Sequence, residues 1–373
     1  MGSSGLFGYA NSLHGLGNWL HWDGGWYYYV VVHGYHYQVI TPPVQQSVVF
    51  FPAYPLLVRF THDVTGLSYP YAGVLINFIL VIGIALVTYK LYGLLKAKYG
   101  AKKDTPADSQ ISGGLLAVAL ILAFPTAFFL AAYYADALLL FCFLAALYAS
   151  FKKHYISAAV LAGLASGSKI IGIVAMVAVL VVFLEQEVTS LKDITQKLKF
   201  AMRFIGLAIL SLWGILLYIA FLAHKFKSPF AFYTDEKAWP GKGTGSSFMN
   251  IWHQNYAHLF SPGYFGAQHI NYLVALSNMA IPILAVGILI YAIYKRVWWI
   301  VCYVFALIVI CLSSGSLTSV NRYGLMLAPV IIYLCAITSK RTQNYVWVIV
   351  CILAVIELIF ATVFLQGNSN FIG

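Results

Sequence analysis

The stretch ISAAVLAGLASGSKIIGIVAMVAVLVVFL, residues 156–184, decides how this chain is folded. It is apolar throughout and long enough for one bilayer crossing, which takes about 20 apolar residues. It is also interrupted by Gly163, Ser166, Gly167, Ser168, Lys169 and Gly172. The choice lies between one crossing and a hairpin of two half-depth helices.

Lysine and arginine positions decide between them, because cytoplasmic connections of membrane proteins are enriched in both. With a hairpin, the basic clusters Lys152/Lys153, Lys192/Lys197/Lys199/Arg203, Lys295/Arg296 and Lys340/Arg341 share one side with Lys90, Lys96, Lys98, Lys102 and Lys103. Fifteen basic residues then lie inside and six outside (Arg59, Lys225, Lys227, Lys237, Lys242, Arg322), with Lys169 in the bilayer. A single crossing would move the later clusters outward and largely erase this bias. The broken helical hairpin is therefore expected.

Composition sets the class. Hydrophobic residues make up 61% of the chain and charged residues 9%, against roughly 25% charged in soluble domains. The reading is an all-α polytopic membrane protein. Its eight full transmembrane helices are expected near 71–95, 112–131, 134–151, 201–223, 272–294, 297–313, 323–338 and 345–365. The net charge of +11 comes in short runs between apolar segments, a topology signal that speaks against nucleic acid. All five cysteines sit inside apolar runs and read as apolar filler. Residues 1–20 lack a basic n-region and an apolar core, so no cleavable signal peptide is expected, and Met1–Gly5 resembles a tag remnant.

Three regions follow: a first outer loop (1–70), a transmembrane bundle (71–365) with a long outer loop (224–271), and an outer tail (366–373). The outer side also receives the turns near 132–136 and 314–322. The two long loops are rich in Trp, Tyr, Phe and His, which predicts folded, interfacial segments.

Of eleven acidic residues, Asp23, Asp63, Asp136, Asp235 and Glu236 fall outside. Asp23 lies in Trp22-Asp23-Gly24-Gly25-Trp26-Tyr27-Tyr28. Aromatics there offer a stacking surface for a sugar or interfacial lipid, and partial desolvation strengthens a carboxylate as a base. The same residue also reads as the N-cap of an interfacial helix. Asp136 follows Tyr133-Tyr134-Ala135 at a depth where a carboxylate needs a partner or water. Lys169 is the clearest intramembrane charge, either an anion contact or a paired lysine. Arg322, before Tyr323, suits a phosphate through its forked donors, or anchors a helix end. His253, His258 and His269 lack metal-ligand spacing, so no metal is expected.

The ordered set resembles the GPI mannosyltransferase 2 (PIG-V) family, a branch of the GT-C membrane glycosyltransferases. It runs from Trp22-Asp23-Gly24-Gly25-Trp26-Tyr27 and Gly34-Tyr35 to Phe50-Phe51-Pro52-Ala53-Tyr54-Pro55-Leu56-Leu57. Pro125, Tyr133-Tyr134-Ala135-Asp136, Gly167-Ser168-Lys169-Ile170-Ile171-Gly172, Trp239, Arg322-Tyr323 and Pro329 complete it. The resemblance implies a GT-C-like bundle and an inverting transfer of mannose from a polyprenyl-phosphate donor to a lipid or glycan acceptor, without cofactor. It also implies Asp23 as catalytic base. Trp22, Trp26, Tyr27, Asp136, Lys169, Trp239, Arg322 and Tyr323 are then the expected substrate-binding residues. Two features depart from the family: about twenty residues precede the Trp-Asp pair where members carry a helix, and Lys169 stands where members carry arginine. The expected location is a prokaryotic plasma membrane with the site facing outside, or an ER membrane with a lumenal site. Membrane transporter, lipid flippase and non-catalytic lipid-sugar-binding subunit are the competing classes.

Overall fold

A computed structural model describes residues 16–41, 43–100, 107–188, 193–239, 269–313 and 320–366, all helix and connection with no strand among them. Two short helices, α1 (Asp23–His33) and α2 (Ala53–Thr65), precede the long α3 (Tyr69–Tyr99). There follow α4 (Ala107–Leu122), α5 (Asp136–Phe151), α6 (Tyr155–Ser168), α7 (Ile173–Glu187), α8 (Ile194–Leu210) and α9 (Trp213–Phe226). The chain then forms α10 (Ala231–Asp235), α11 (His269–Tyr294), α12 (Trp298–Ser313), α13 (Val320–Tyr323), α14 (Ala328–Ile337) and α15 (Lys340–Leu365). Several of these helices are long and apolar, and the protein is a multi-pass membrane protein.

The bundle is organised around α5. Twelve of its 16 residues are buried, on all sides, as expected of a helix that is apolar all round. It packs on α3, α6 and α7. By contrast, α15 buries little and turns exposed residues such as Val348, Ile352 and Leu358 outward.

Residues 156–184 form a hairpin of two packed helices. Helices α6 and α7 pack on each other, and the start of one meets the end of the other. The Tyr155 hydroxyl donates to Gln186 at 3.0 Å and Glu187 at 2.9 Å, while Lys153 pairs with Glu187 at 3.4 Å. Helix α6, at 14 residues, is short for a roughly 30 Å hydrocarbon core, whereas α7 with the turn before it, Ile170–Glu187, is 18 residues and long enough to cross. At this same end Lys98 pairs with Glu185 at 3.7 Å, and Glu185 accepts the Trp299 N–H at 3.1 Å. Lys98 and Lys153, both assigned inside by the sequence, thus share one end of the bundle with these acids.

The helix break is narrower than the sequence suggests. Gly163, Ser166 and Gly167 continue α6, and only Lys169 leaves it, in extended conformation (φ −158°, ψ 154°). The glycines serve contact: a Cβ on Gly214 of α9 would collide with the Gly163 carbonyl and the Gly167 backbone. Small residues spaced by four let membrane helices touch backbone to backbone.

Of the eight full spans expected, fewer are long enough by helix length alone: among the described residues five helices are long and apolar enough to cross, Ile170–Glu187 included, or six if α8 and α9, bent by 56°, count as one. Residues 112–131 are helical only to Leu122, because Pro125 lacks an amide proton and disfavours helix before it. Residues 201–223 are broken at Ser211-Leu212, and 134–151 and 297–313 give helices of 16 residues each. The buried α5 is screened from lipid by its neighbours and has no bilayer thickness to match.

Gly214→Ala is expected to lose about 1–3 kcal/mol of stability by overpacking, read as a lowered thermal midpoint in detergent. Gly206→Ala, where a Cβ meets nothing within 4 Å, is the control and leaves the midpoint in place. Equal midpoints for both variants would show that the α6–α9 contact is dispensable.

Candidate functional site

The site is set first by the turn entering α5. The Asn77 side-chain amide, buried in α3, donates to the Ala132 carbonyl and to that of Tyr134 at 3.5 Å. The Tyr134 hydroxyl donates to the His21 carbonyl at 2.9 Å, and the Tyr133 N–H to the Trp19 carbonyl at 3.2 Å. These bonds tie the turn to α3 on one side and to the segment before α1 on the other. They leave Asp136 buried as the first residue of α5, where the positive end of the helix dipole favours a carboxylate.

Two cations meet this carboxylate. Lys169, at the hairpin tip, places Nζ 2.7 Å from Asp136 Oδ2. Arg322 comes from α13, which buried amides hold in place. Asn321 donates its N–H to Asn278 Oδ1 at 2.8 Å, and the Thr126 hydroxyl donates to the Asn321 carbonyl at 3.2 Å. Asn321 Oδ1 in turn accepts the Arg322 N–H at 2.7 Å. The guanidinium sits 5.2 and 5.4 Å from the ring centres of Phe129 and Tyr134, within cation–π range.

Arg322 Nη1 donates to Asp23 Oδ2 at 2.8 Å, while its Nε stands 3.8 Å from Asp136 Oδ1. The first contact is a charge-assisted hydrogen bond; the second is an ion pair too long for one. Asp23, Arg322, Asp136 and Lys169 therefore form one chain of alternating charge with no net charge. The two ends keep some solvent access, the Asp23 and Lys169 side chains being 16% and 11% exposed against 2% for Asp136. A buried charge stripped of its partner costs several kcal/mol, so the four stand or fall together.

Asp23 is not an N-cap. Trp22 occupies that position, with φ 59° and ψ −122°, and no side chain caps the helix. A non-glycine residue rarely adopts such a φ. Gly24 lets the first turn of α1 close on the Tyr133-Tyr134 turn: a Cβ there would lie 3.1 Å from the Trp19 carbonyl oxygen and 3.3 Å from the Tyr134 ring.

The aromatic candidates divide. Trp26 stacks on Phe50 at 5.8 Å between centroids, and Trp239 packs edge-on against both at 5.8 and 5.5 Å. Trp26 and Trp239 are half-buried, while Phe50 is buried beneath them. Trp22 faces the other way, towards Phe128, Phe129 and Phe364. Tyr27 is fully packed against Phe50 and Tyr54; burial, then Asp136 and Asp23, hold its phenol well above the ordinary range, so it stays protonated. The Tyr323 ring is 5.9 Å from the Arg322 guanidinium.

Among the remaining outer acids, Asp235 accepts from the N–H and side-chain amide of Gln46, each at 3.0 Å, and so ties the first loop to α10. Burial raises its carboxyl above the usual range, while those two bonds lower it. Asp63 is exposed. His253 and His258 lie outside the described residues, and no metal-binding group of His, Cys, Asp or Glu occurs among the described ones. The positioning amides Asn77 and Asn278 escaped the sequence reading. Their signal was available, as asparagines inside long apolar runs at a depth where unpaired amides are costly. No family model, curated protein or solved structure matches this chain.

Asp136→Asn leaves Lys169 buried without its carboxylate and is expected to cost about 3–5 kcal/mol. Asp136→Asn with Lys169→Met removes both charges and is expected to recover much of that loss. Unfolding midpoints in detergent test the coupling; a double variant no more stable than the single one would refute it.

Proposed function

We propose that this protein is an inverting glycosyltransferase, by resemblance a mannosyltransferase. It moves a sugar from a polyprenyl-phosphate donor to a hydroxyl of a lipid-linked or glycan acceptor. One observation carries the reading: residues 23, 136, 169 and 322, drawn from four separate segments, converge in a single charge network whose most exposed member is Asp23.

The chemistry needs one base and one cationic clamp. In an inverting displacement the acceptor hydroxyl attacks the anomeric carbon opposite the leaving group while a carboxylate takes its proton, as inverting hydrolases do with water. A phosphate leaves without protonation when cations stabilise its developing charge. Asp23 is the base and Arg322 the phosphate contact. Lys169 adds positive charge behind it, and Asp136 holds both cations in register. A guanidinium has five N–H donors, so Arg322 can turn from Asp23 to a phosphate while keeping its attraction to Asp136. That exchange frees the Asp23 carboxylate for the acceptor. The partly exposed Trp26 and Trp239 offer flat faces for a sugar ring, with Phe50 packed behind them and Tyr323 beside the Arg322 guanidinium.

The basic residues gathered at the opposite end orient the site away from the cytoplasm. The location that fits is a prokaryotic plasma membrane with the site outside, or an ER membrane with the site in the lumen. No cofactor or metal enters the scheme. A transporter or lipid flippase is the second reading, favoured by the pairing of intramembrane charges, which also marks ion and substrate pathways. A non-catalytic lipid-sugar-binding subunit shares the same contacts without the base.

Asp23→Asn is expected to lower transfer of radiolabelled mannose from polyprenyl-phosphate mannose to lipid acceptors by about 10²–10⁴-fold, the usual contribution of a general base. Donor binding persists, and Asp63→Asn retains activity. Full turnover by Asp23→Asn removes it as the base. Absence of transfer by the wild-type protein with several polyprenyl-phosphate sugars moves the transport and binding readings ahead.

A further inference from the structure

We infer that the protein holds one anionic phospholipid in a groove beside the first outer helices, separate from the Asp23–Arg322 network. The groove has a volume of about 350 Å³ and runs between α1, α2 and α9. Val30, Leu56, Leu217 and Phe221 contribute apolar walls, and Arg59 and Lys225 contribute the charge.

The walls continue into exposed apolar faces. On α2, Leu56, Phe60 and Val64 recur at four-residue spacing, each at least 60% exposed; on α9, Leu216 and Leu217 are exposed likewise. A groove framed by two such faces opens towards hydrocarbon rather than water, which suits an acyl chain.

The cations lack a counter-charge. The sequence assigns only six basic residues to the outer side, and two of them line this one groove, with Lys227 two positions on. Among the described residues no carboxylate pairs with Arg59 or Lys225, whereas Arg322 and Lys169 are both neutralised. Arg59 donates Nε to the Val31 carbonyl at 2.6 Å and Nη2 to that of Val30 at 3.4 Å, which leaves Nη1 without a hydrogen bond among the described residues. Lys225 donates one proton to the Tyr35 carbonyl at 3.3 Å, and an ammonium carries three. A phosphodiester above an acyl chain supplies the missing anion and fills the apolar space.

This phosphate is not the leaving group of the proposed reaction. Arg59 grips α1 seven to eight residues beyond Asp23, which is about 10–12 Å along the helix axis. The occupant is therefore a resident membrane lipid, and its binding does not depend on the enzymatic reading.

Native mass spectrometry of the full chain in detergent tests this, with equal amounts of phosphatidylglycerol and phosphatidylcholine. The wild-type protein is expected to retain one phosphatidylglycerol in preference. One cation near a lipid headgroup contributes about 1 kcal/mol, so Lys225→Gln is expected to reduce that preference about fivefold. Lys225 is exposed and tolerates the change, whereas Arg59 also closes the end of α1. Leu217→Trp, which fills the groove, is expected to abolish retention. Equal retention of both lipids, or an unchanged preference in Lys225→Gln, overturns the proposal. Mole-for-mole displacement by polyprenyl phosphate overturns it too, and assigns the groove to that lipid.

Discussion

The ion pairs among Asp23, Arg322, Asp136 and Lys169 are the constraint from which the rest of the bundle follows. Each of these charges alone would be costly to withdraw from water, and a pair repays that cost only with close geometry. Four separate elements accordingly end at one level. Helix α5 begins at Asp136; the hairpin turns back at Lys169; α13 delivers Arg322; and the first turn of α1 lies against them. The hairpin brings Lys169 at its tip to that level.

Around this charged chain the structure uses neutral amides rather than further ions. Asn77 fixes the turn before α5, while Asn278 and Asn321 fix the segment carrying Arg322. Amides suit this task because they donate and accept without adding charge to a network already in balance. The aromatic layer of Trp26, Phe50 and Trp239 performs a different job. It joins the first loop to the segment after α10.

The charged members of the site were legible because charges are conspicuous in an apolar chain. Asp23, Asp136, Lys169 and Arg322 each invited the question of a partner, though sequence alone does not say which pairs with which. The hairpin was legible from the one-sided distribution of lysine and arginine. Span lengths were not, because counting apolar residues locates lipid-compatible segments without locating the ends of hydrogen-bonded helix. Pro125 and the bend at Ser211-Leu212 shorten two of them. Glycines 163 and 167 read as a break because their partner, Gly214, lies far along the chain on another helix. Asp235, counted only as one of the outer acids, proves to be a loop tie through its bonds to Gln46.

The bond between Arg322 and Asp23 joins residues 299 positions apart. During synthesis the aspartate leaves the ribosome early, and its counterion follows only after nearly the whole bundle has been inserted. Asp136 and Lys169, 33 positions apart, can pair much sooner. Assembly is thus staged: an inner ion pair forms while the chain is still growing, and the outer carboxylate waits for the last helices to dock. A chain terminated before Arg322 retains its hairpin but exposes an orphan acid at the lipid boundary. That uncompensated charge is the kind of feature by which a cell's quality-control proteases can tell an unfinished membrane protein from a finished one.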